Sequence, residues 1–285
     1  MRVTVIGAAN IDITTKSKAK ITQDKSNAAD IVLTAGGVAR NISAILARHG
    51  EEVDLITAVG RDPLGSLLQK SCKELKINTD AWIIKTNAPT AVNLMTINSD
   101  GEPHYTFDAM TAPESIRTAE ITKHKNNIKD ADLLILDLNL SEKIITTILE
   151  FREERPVLVD GVSVEKIMRI ENILDKIDML RINRLEAERL TGITLDTKER
   201  VKQACYSIVD RGVNRVFVTL GMAGVCAANK KHNAIFVPAI PMAVKDSSGA
   251  GDAFSAGIAL NYNRDLRTQA ESGVSLAAEH IARNT

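Results

Sequence analysis

The stretch "KDSSGAGDAFSAG", Lys245–Gly257, sets Gly249-Ala250-Gly251 directly in front of Asp252 and then runs into a helical pattern. Glycines where a loop becomes a helix let a ligand approach backbone N–H groups that no earlier turn satisfies. The positive end of the helix dipole adds attraction for an anion. Two glycines could equally do no more than make a tight turn. Asp252 separates the readings. An acid in the first helical turn usually complements the dipole at the surface. Beside an anion pocket its charge repels a phosphate, and it is better explained as a base that takes a proton from an attacking hydroxyl. Two commoner phosphate loops do not account for the stretch. The pattern G-x-x-x-x-G-K is absent, its nearest match at Gly60–Ser66 having serine in place of lysine, and G-x-G-x-x-G fails at Phe254.

Working outward, strand-like and helix-like segments alternate. Val3–Gly7 is a short apolar run ending in glycine, and "GGVARNISAILARHG" reads as a helix approached through Gly36 and Gly37 and stopped by Gly50. "VDLITAVG" reads as one strand. "DPLGSLLQKSCKEL" reads as a helix with Asp62 as N-cap and Pro63 in its first position. Further on, "DLLILDL" precedes "SEKIITTILEF", "PVLVDGV" precedes a helix over "SVEKIMRIENILDKI", and "MLRIN" precedes "RLEAERLTG". The helix "TKERVKQACYSIVDRG" leads to "RVFVTLG", a hairpin follows in "GVCAANKKHNAIFVPA", and two helices close the chain. This order predicts an α/β fold, a central and mostly parallel sheet flanked by helices. Residues 11–34 and 82–110 break the pattern. They are polar or alternating, with a turn at Asp100-Gly101, and predict a small β subregion within a single domain spanning 1–285.

Bulk properties narrow the partners. Lys plus Arg and Asp plus Glu both total 36, so a net charge of +0 excludes a global attraction to nucleic acid or an anionic membrane. Any phosphate binding must be local. Cys72, Cys205 and Cys226 are scattered, which argues against disulfides and against zinc. No window approaches a membrane span, and the start is too polar for a signal peptide, so the chain reads as cytoplasmic.

Other polar or glycine-rich loops follow the predicted strands, all expected at one sheet edge. Asn10 and Asp12 follow the first strand; they suit a turn, or the vicinal hydroxyls of a sugar. Gly36 and Gly37 allow a close backbone approach by a substrate, with Asn41 reaching into the pocket, or simply begin a helix. Asn183 and Glu186 lie in "NRLE", which is also an ordinary helix start. Thr219, Gly221 and Gly224 lie in "TLGMAG", whose glycines suit a turn.

These segments together resemble the ribokinase-like carbohydrate kinases, the PfkB family. "DSSGAGDAF" resembles the family's D-T-x-G-A-G-D-x-F signature, and "GAANID", "GGVARN", "NRLE" and "TLGMAG" fall in family order across nearly the whole chain. Residues 11–34 and 82–110 resemble its β lid. Within the family, "GGVARNISAILARHG" and "VDGVSVEK" are most similar to pseudouridine kinases, with Gly161 where proline is usual and Ser247 and Ser248 where threonines are usual. The resemblance implies ATP-dependent phosphorylation of a primary hydroxyl, here the 5′-hydroxyl of pseudouridine, or of another ribosyl substrate. It gives Asp252 the role of base and Gly249, Ala250 and Gly251 that of donors to the transferring phosphate. Asn10, Asp12, Gly36, Gly37, Asn41 and Lys166 would hold the substrate. Asn183, Thr219, Gly221 and Gly224 would border the nucleotide, and Glu186 would organise Mg²⁺ through water. Asp246 and Ser248 would hold a monovalent cation such as K⁺. Trp82, Tyr105 and Phe107 could stack on a base from the lid but are better read as its core. An exposed lid sheet needs cover, which makes an edge-to-edge homodimer a candidate assembly. A non-catalytic sugar or nucleoside sensor would have no need of Asp252, and a nicotinamide-dependent dehydrogenase would need the missing N-terminal glycine fingerprint.

Overall fold

The computed structural model describes residues 1–243 and 246–284. The chain begins with β1 (Arg2–Ile6) and a hairpin of β2 (Asn10–Ser17) and β3 (Ala29–Gly36). Helix α1 (Val38–Arg48), β4 (Glu52–Ile56), β5 (Ala58–Gly60) and α2 (Pro63–Glu74) follow, then β6 (Ile83–Lys85) and a second hairpin, β7 (Ala91–Ile97) with β8 (Pro103–Ala109). Three short helices, α3 (Thr111–Glu114), α4 (Thr118–Thr122) and α5 (Lys125–Lys129), lead into β9 (Leu133–Asp137) and α6 (Glu142–Phe151). Next come β10 (Val157–Asp160), β11 (Met179–Asn183), α7 (Arg184–Thr191), α8 (Lys198–Asp210) and β12 (Arg215–Thr219). The chain continues through β13 (Val225–Asn229) and β14 (Ala234–Val237) to α9 (Ala250–Leu260) and α10 (Leu266–Asn284).

The main sheet has the order β14-β13-β12-β11-β10-β9-β1-β4; its pairings are parallel from β12 to β4, and β13 alone runs against the rest. Its central strands are mostly apolar because both faces are covered. In β9, Leu134 and Leu136 join the core layer under α6, α7 and α8, while Leu133 and Ile135 join the layer under α1, α9 and α10. The two-residue period of a strand divides one apolar run between two cores. From β1 the chain fills one side of the sheet with β4 and later the other side with β9, so the strand order reverses between them. A crevice at the carboxyl ends is the expected outcome.

The lid is a separate four-stranded sheet, β3-β2-β7-β8. Its register sets Thr34, Asp12, Asn93 and Asp108 in one cross-strand row and Leu33, Ile13, Leu94 and Phe107 in the next, which points the opposite way. The polar row looks towards the body, where Asp108 meets Lys166.

The structure departs from the sequence expectations in four places. "VDLITAVG" is two strands, broken at Thr57, whose hydroxyl accepts from Ala9 N; β5 then leaves the main sheet to pair with β6. The segment from residue 82 to the start of β7 therefore belongs to the body, and Trp82, 7% exposed, packs in the body core. Tyr105 and Phe107 are not lid core but 55% and 58% exposed, because the lid is one sheet thick. "SVEKIMRIENILDKI" forms two 3₁₀ turns, Lys166–Ile170 and Leu174–Lys176, rather than an α-helix. Buried Ile167, Ile170 and Ile173 recur at a spacing of three, which is the 3₁₀ period. The Asp62 cap stands as expected, its carboxylate accepting from Gly65 N, and the three cysteines are free and buried. Among the described residues, no helix is long and apolar enough to cross a membrane.

Candidate functional site at the carboxyl edge

Gly249 takes a left-handed conformation (φ 76°) and begins α9, whose first turn receives no side-chain cap. Its missing side chain also makes room for His280, since a Cβ would lie 2.7 Å from Nε2. A Cβ on Gly251 would lie 2.4 Å from the Arg181 guanidinium. Ala250 N donates to the Ser247 carbonyl at 3.1 Å, while the N–H groups of Gly249 and Gly251 have no acceptor among the described residues and lie against a cation. Asp252, one step further, is buried, and its carboxylate accepts from Asn41 Nδ2 at 2.9 Å. Burial and the nearby charges of Asp160 and Asp137 push its pKa up to about 7, against the hydrogen bond from Asn41 and the Arg181 charge. A carboxylate poised there exchanges a proton near neutral pH.

On one side of Asp252 lie the residues expected to hold a sugar. Asn10 donates to Asp12 at 2.6 Å, and burial raises the Asp12 pKa. A Cβ on Gly36 would fall 1.9 Å from Asp12 Oδ2, so this glycine keeps the carboxylate in place. Gly37 (φ 99°) abuts the Ala8 carbonyl, where a Cβ would come within 2.5 Å. Lys166 donates to Asn139 Oδ1 at 2.6 Å and lies 3.5 Å from Asp108, tying the lid to the body. Its loop is bent by Val162 (φ 63°), with Ser163 N donating to the Gly161 carbonyl at 2.7 Å. A β-branched residue in that region stores about 1–3 kcal/mol of strain.

On the other side is a cavity of about 540 Å³, within the usual range for a small-molecule site. Its polar end is Arg181, Asn183, Thr219 and the Ala250-Gly251 turn; Met222, Ile240, Phe254 and Ala277 supply apolar wall. Gly221 (φ 60°) and Gly224 (φ 93°) shape its rim, and a Cβ on Gly224 would meet the Val237 carbonyl at 2.1 Å. A groove of about 720 Å³ beside Arg215, Lys230 and Asp265 lies at the amino end of β12, away from the convergent loops.

Glu186, expected to act on a metal through water, is held in a hydrogen-bonded pair with Asn183. It is 0% exposed, and its two oxygens accept from Asn183 N (2.8 Å) and Asn183 Nδ2 (2.6 Å), while Asn183 Oδ1 accepts from Glu186 N. The pair is a capping box for α7. Asn183 still borders the cavity. Gly161 fits against it, as a Cβ there would lie 2.5 Å from Glu186 Oε2. Asp246 accepts from Ser248 N at 2.8 Å in an exposed turn, and hydrogen bonds from the Ser248 side chain and then its N–H hold its pKa below the usual carboxylate range. Among the described residues no cluster of three or more His, Cys, Asp or Glu could hold a metal.

Sequence reasoning missed Asp137, Asn139, Asp160 and Arg181. The two aspartates end β9 and β10, a position that by itself marks the ligand edge of such a sheet. Arg181 interrupts the apolar strand "MLRIN", and a charge there must be paired. It lies 3.4 Å from Asp160 and donates to Thr219 Oγ1 at 3.2 Å, yet its Nε is buried without a partner among the described residues. Guanidinium capacity left over at the mouth of an anion turn suits phosphate.

Comparison with known proteins agrees with this geometry. The family model described as pfkB family carbohydrate kinase matches residues 1–284. The chain is 32% identical over 257 residues to the pseudouridine kinase of Escherichia coli (strain K12), covering 90% of this chain and 82% of that protein. It is 23% identical to the guanosine-inosine kinase of Exiguobacterium acetylicum, covering 99% and 94%. The solved structure of Arabidopsis thaliana ribokinase complexed with ribose and ATP superposes with a TM-score of 0.84 at 24% identity, covering 96% of this chain and 90% of that one, so the fold is ribokinase-like. The chain belongs to the pfkB family of carbohydrate kinases.

Proposed function

We propose that this kinase transfers the γ-phosphoryl group of ATP to the 5′-hydroxyl of pseudouridine. The observation that carries the reading is the place of Asp252. It is joined through Asn41 to the sugar side and through Gly251 to the nucleotide cavity, so an alcohol from one side and a phosphate from the other meet at its carboxylate. Asp252 takes the hydroxyl proton, while N–H groups of Gly249–Gly251 and the Arg181 guanidinium face the oxygens on which charge develops. Asp12 accepts from the ribose hydroxyls, with Asn10 fixing its orientation, and Gly37 lets the sugar approach the backbone. Lys166 and the lid close over the acceptor and exclude water. Mg²⁺, when bound with the nucleotide, would supply charge neutralisation for the phosphates while keeping most of its waters. Asn183 and Glu186 cap α7, which fixes Asn183 at the edge of the nucleotide cavity. Asp246 and Ser248 offer neighbouring oxygens to a K⁺-like ion. Ile31, Leu33, Tyr105 and Phe107, exposed on the outer lid face, support a homodimer through the lid.

The 32% identity to a pseudouridine kinase supports the choice of base. Initial rates with ATP and pseudouridine, uridine, ribose or adenosine test it. The highest kcat/KM is expected for pseudouridine; phosphorylation of ribose with none of pseudouridine would replace the substrate and keep the chemistry. For the sugar contact, Gly36→Ala is expected to displace Asp12 and lower acceptor kcat/KM on the order of 10²-fold, with the KM for ATP unchanged. An equal rise in both KM values would point to general distortion instead.

A further inference from the structure

Asp137 ends β9, is 1% exposed, and makes no ion pair among the described residues. Its carboxylate is met chiefly by backbone donors, with the Asn139 side chain adding to them. Oδ2 accepts from Ala8 N at 2.8 Å and from Ala39 N at 3.0 Å, and Oδ1 accepts from Asn139 N at 2.9 Å. The donors belong to three separate segments. Ala8 precedes Asn10 and Asp12; Ala39 lies in the first turn of α1, two residues before Asn41; Asn139 is the partner of Lys166. Helix α1 has no cap of its own, because its N-cap residue is Gly37. A carboxylate from a distant strand therefore takes the capping position at the positive end of its dipole. Gly7 completes the arrangement: a Cβ there would lie 2.3 Å from the Asp137 carboxylate. Gly7 has no left-handed backbone to explain it, so the space for this acid is what the glycine provides.

We propose that Asp137 is a positioning residue that sets the Asn10–Asp12 segment, the start of α1 and the Asn139–Lys166 arm in register around Asp252. The inference rests on the acceptor-site reading above but not on the identity of the base. Both oxygens accept, so the ionised form suits all three donors. A carboxamide would turn an NH₂ group towards at least one N–H and lose that tether. Asp137 also acts on the base through its charge. The charged or polar groups facing Asp252 are Asp137 from β9, Asp160 from β10, Arg181 from β11 and Asn41 from α1, and Asp137 is one of those that raise its pKa.

The test is steady-state kinetics of Asp137→Asn, Gly7→Ala and Asn139→Ala, varying ATP and acceptor separately, with whichever acceptor the wild type phosphorylates fastest. A wrong choice of base thus leaves the test intact. Asp137→Asn is expected to raise the acceptor KM about 10-fold or more with the ATP KM within about twofold. The acid limb of its kcat/KM profile is expected to move to lower pH, because Asp252 loses a like-charged neighbour. Gly7→Ala, which shifts the carboxylate but keeps its charge, is expected to raise the acceptor KM without moving the limb. Asn139→Ala keeps the carboxylate and its backbone tethers but removes the Asn139 side chain that links Asp137 to Lys166, so it carries the test if Asp137→Asn does not fold; its acceptor KM is expected to rise. Unchanged acceptor KM in these variants, with only a smaller active fraction, or an equal rise in both KM values, would overturn the proposal.

Discussion

Asp252→Asn is expected to lower kcat by about 10³-fold or more and to make the protein more stable above pH 7. The first effect follows from removing the one carboxylate that, among the described residues, is bonded to Asn41 and adjoins the Gly251 turn. An amide of the same shape keeps the Asn41 contact through its oxygen, so nucleotide and acceptor binding should change little, and the loss falls on kcat. The second effect follows from the same burial. The Asp252 pKa stands at about 7 in the folded chain against 3.8 for the free side chain. A group raised on folding contributes its full stability below the unfolded value and loses it as pH rises through the folded value. Ionised Asp252 thus costs the folded state on the order of 4 kcal/mol above pH 7, a burden the asparagine variant does not carry. Thermal melts from pH 4 to 9 should show the variant's advantage growing through pH 7. The wild-type kcat/KM should fall with acid around the same pH, since the base must be deprotonated. Undiminished kcat in the variant, or a lower Tm at pH 8, would remove Asp252 from this role.

Arg181→Met is expected to cost about 3 kcal/mol of stability and about 10-fold or more in KM for ATP. Methionine fills much of the volume but leaves Asp160, which is fully buried, with only Ser255 Oγ and Val162 N as partners. Breaking a buried pair on one side strands the other charge, and that is where the stability goes. The same cation holds the Asp252 pKa down, so its loss should move the acid limb of kcat/KM to higher pH, opposite to the shift expected for Asp137→Asn. Denaturant unfolding and pH–rate profiles on one preparation read both effects. A variant as stable as the wild type, with unmoved ATP affinity, would show that Arg181 merely fills space.

What could be read from the sequence was whatever local chemistry encodes. Gly249–Asp252, the Asp62 cap and the alternation of apolar runs with helical spacing each carry their own short-range reason, and the parallel sheet followed from them. Glu186 was ambiguous because a capping box and a metal-associated acid share one spacing; the structure adds that it is buried and caps α7. The 163–177 segment misled because a three-residue apolar spacing was taken for a helical one. Asp137 was invisible for a different reason. Its partners are chiefly N–H groups of residues 8, 39 and 139, which carry no side-chain signal and converge only when β1, α1 and β9 are packed together. The lid row of Thr34, Asp12, Asn93 and Asp108 likewise exists only once register is fixed across four strands.

The central claim is that one buried acid stands between alcohol and phosphate. A crystal structure with pseudouridine and a non-hydrolysable ATP analogue tests it most directly. An Asp252 carboxylate oxygen is expected roughly 2.6–3.2 Å from the 5′-oxygen, with the terminal phosphate against the Gly249–Gly251 N–H groups. A 5′-oxygen bonded to some other residue, with Asp252 still turned to Asn41 alone, would contradict it.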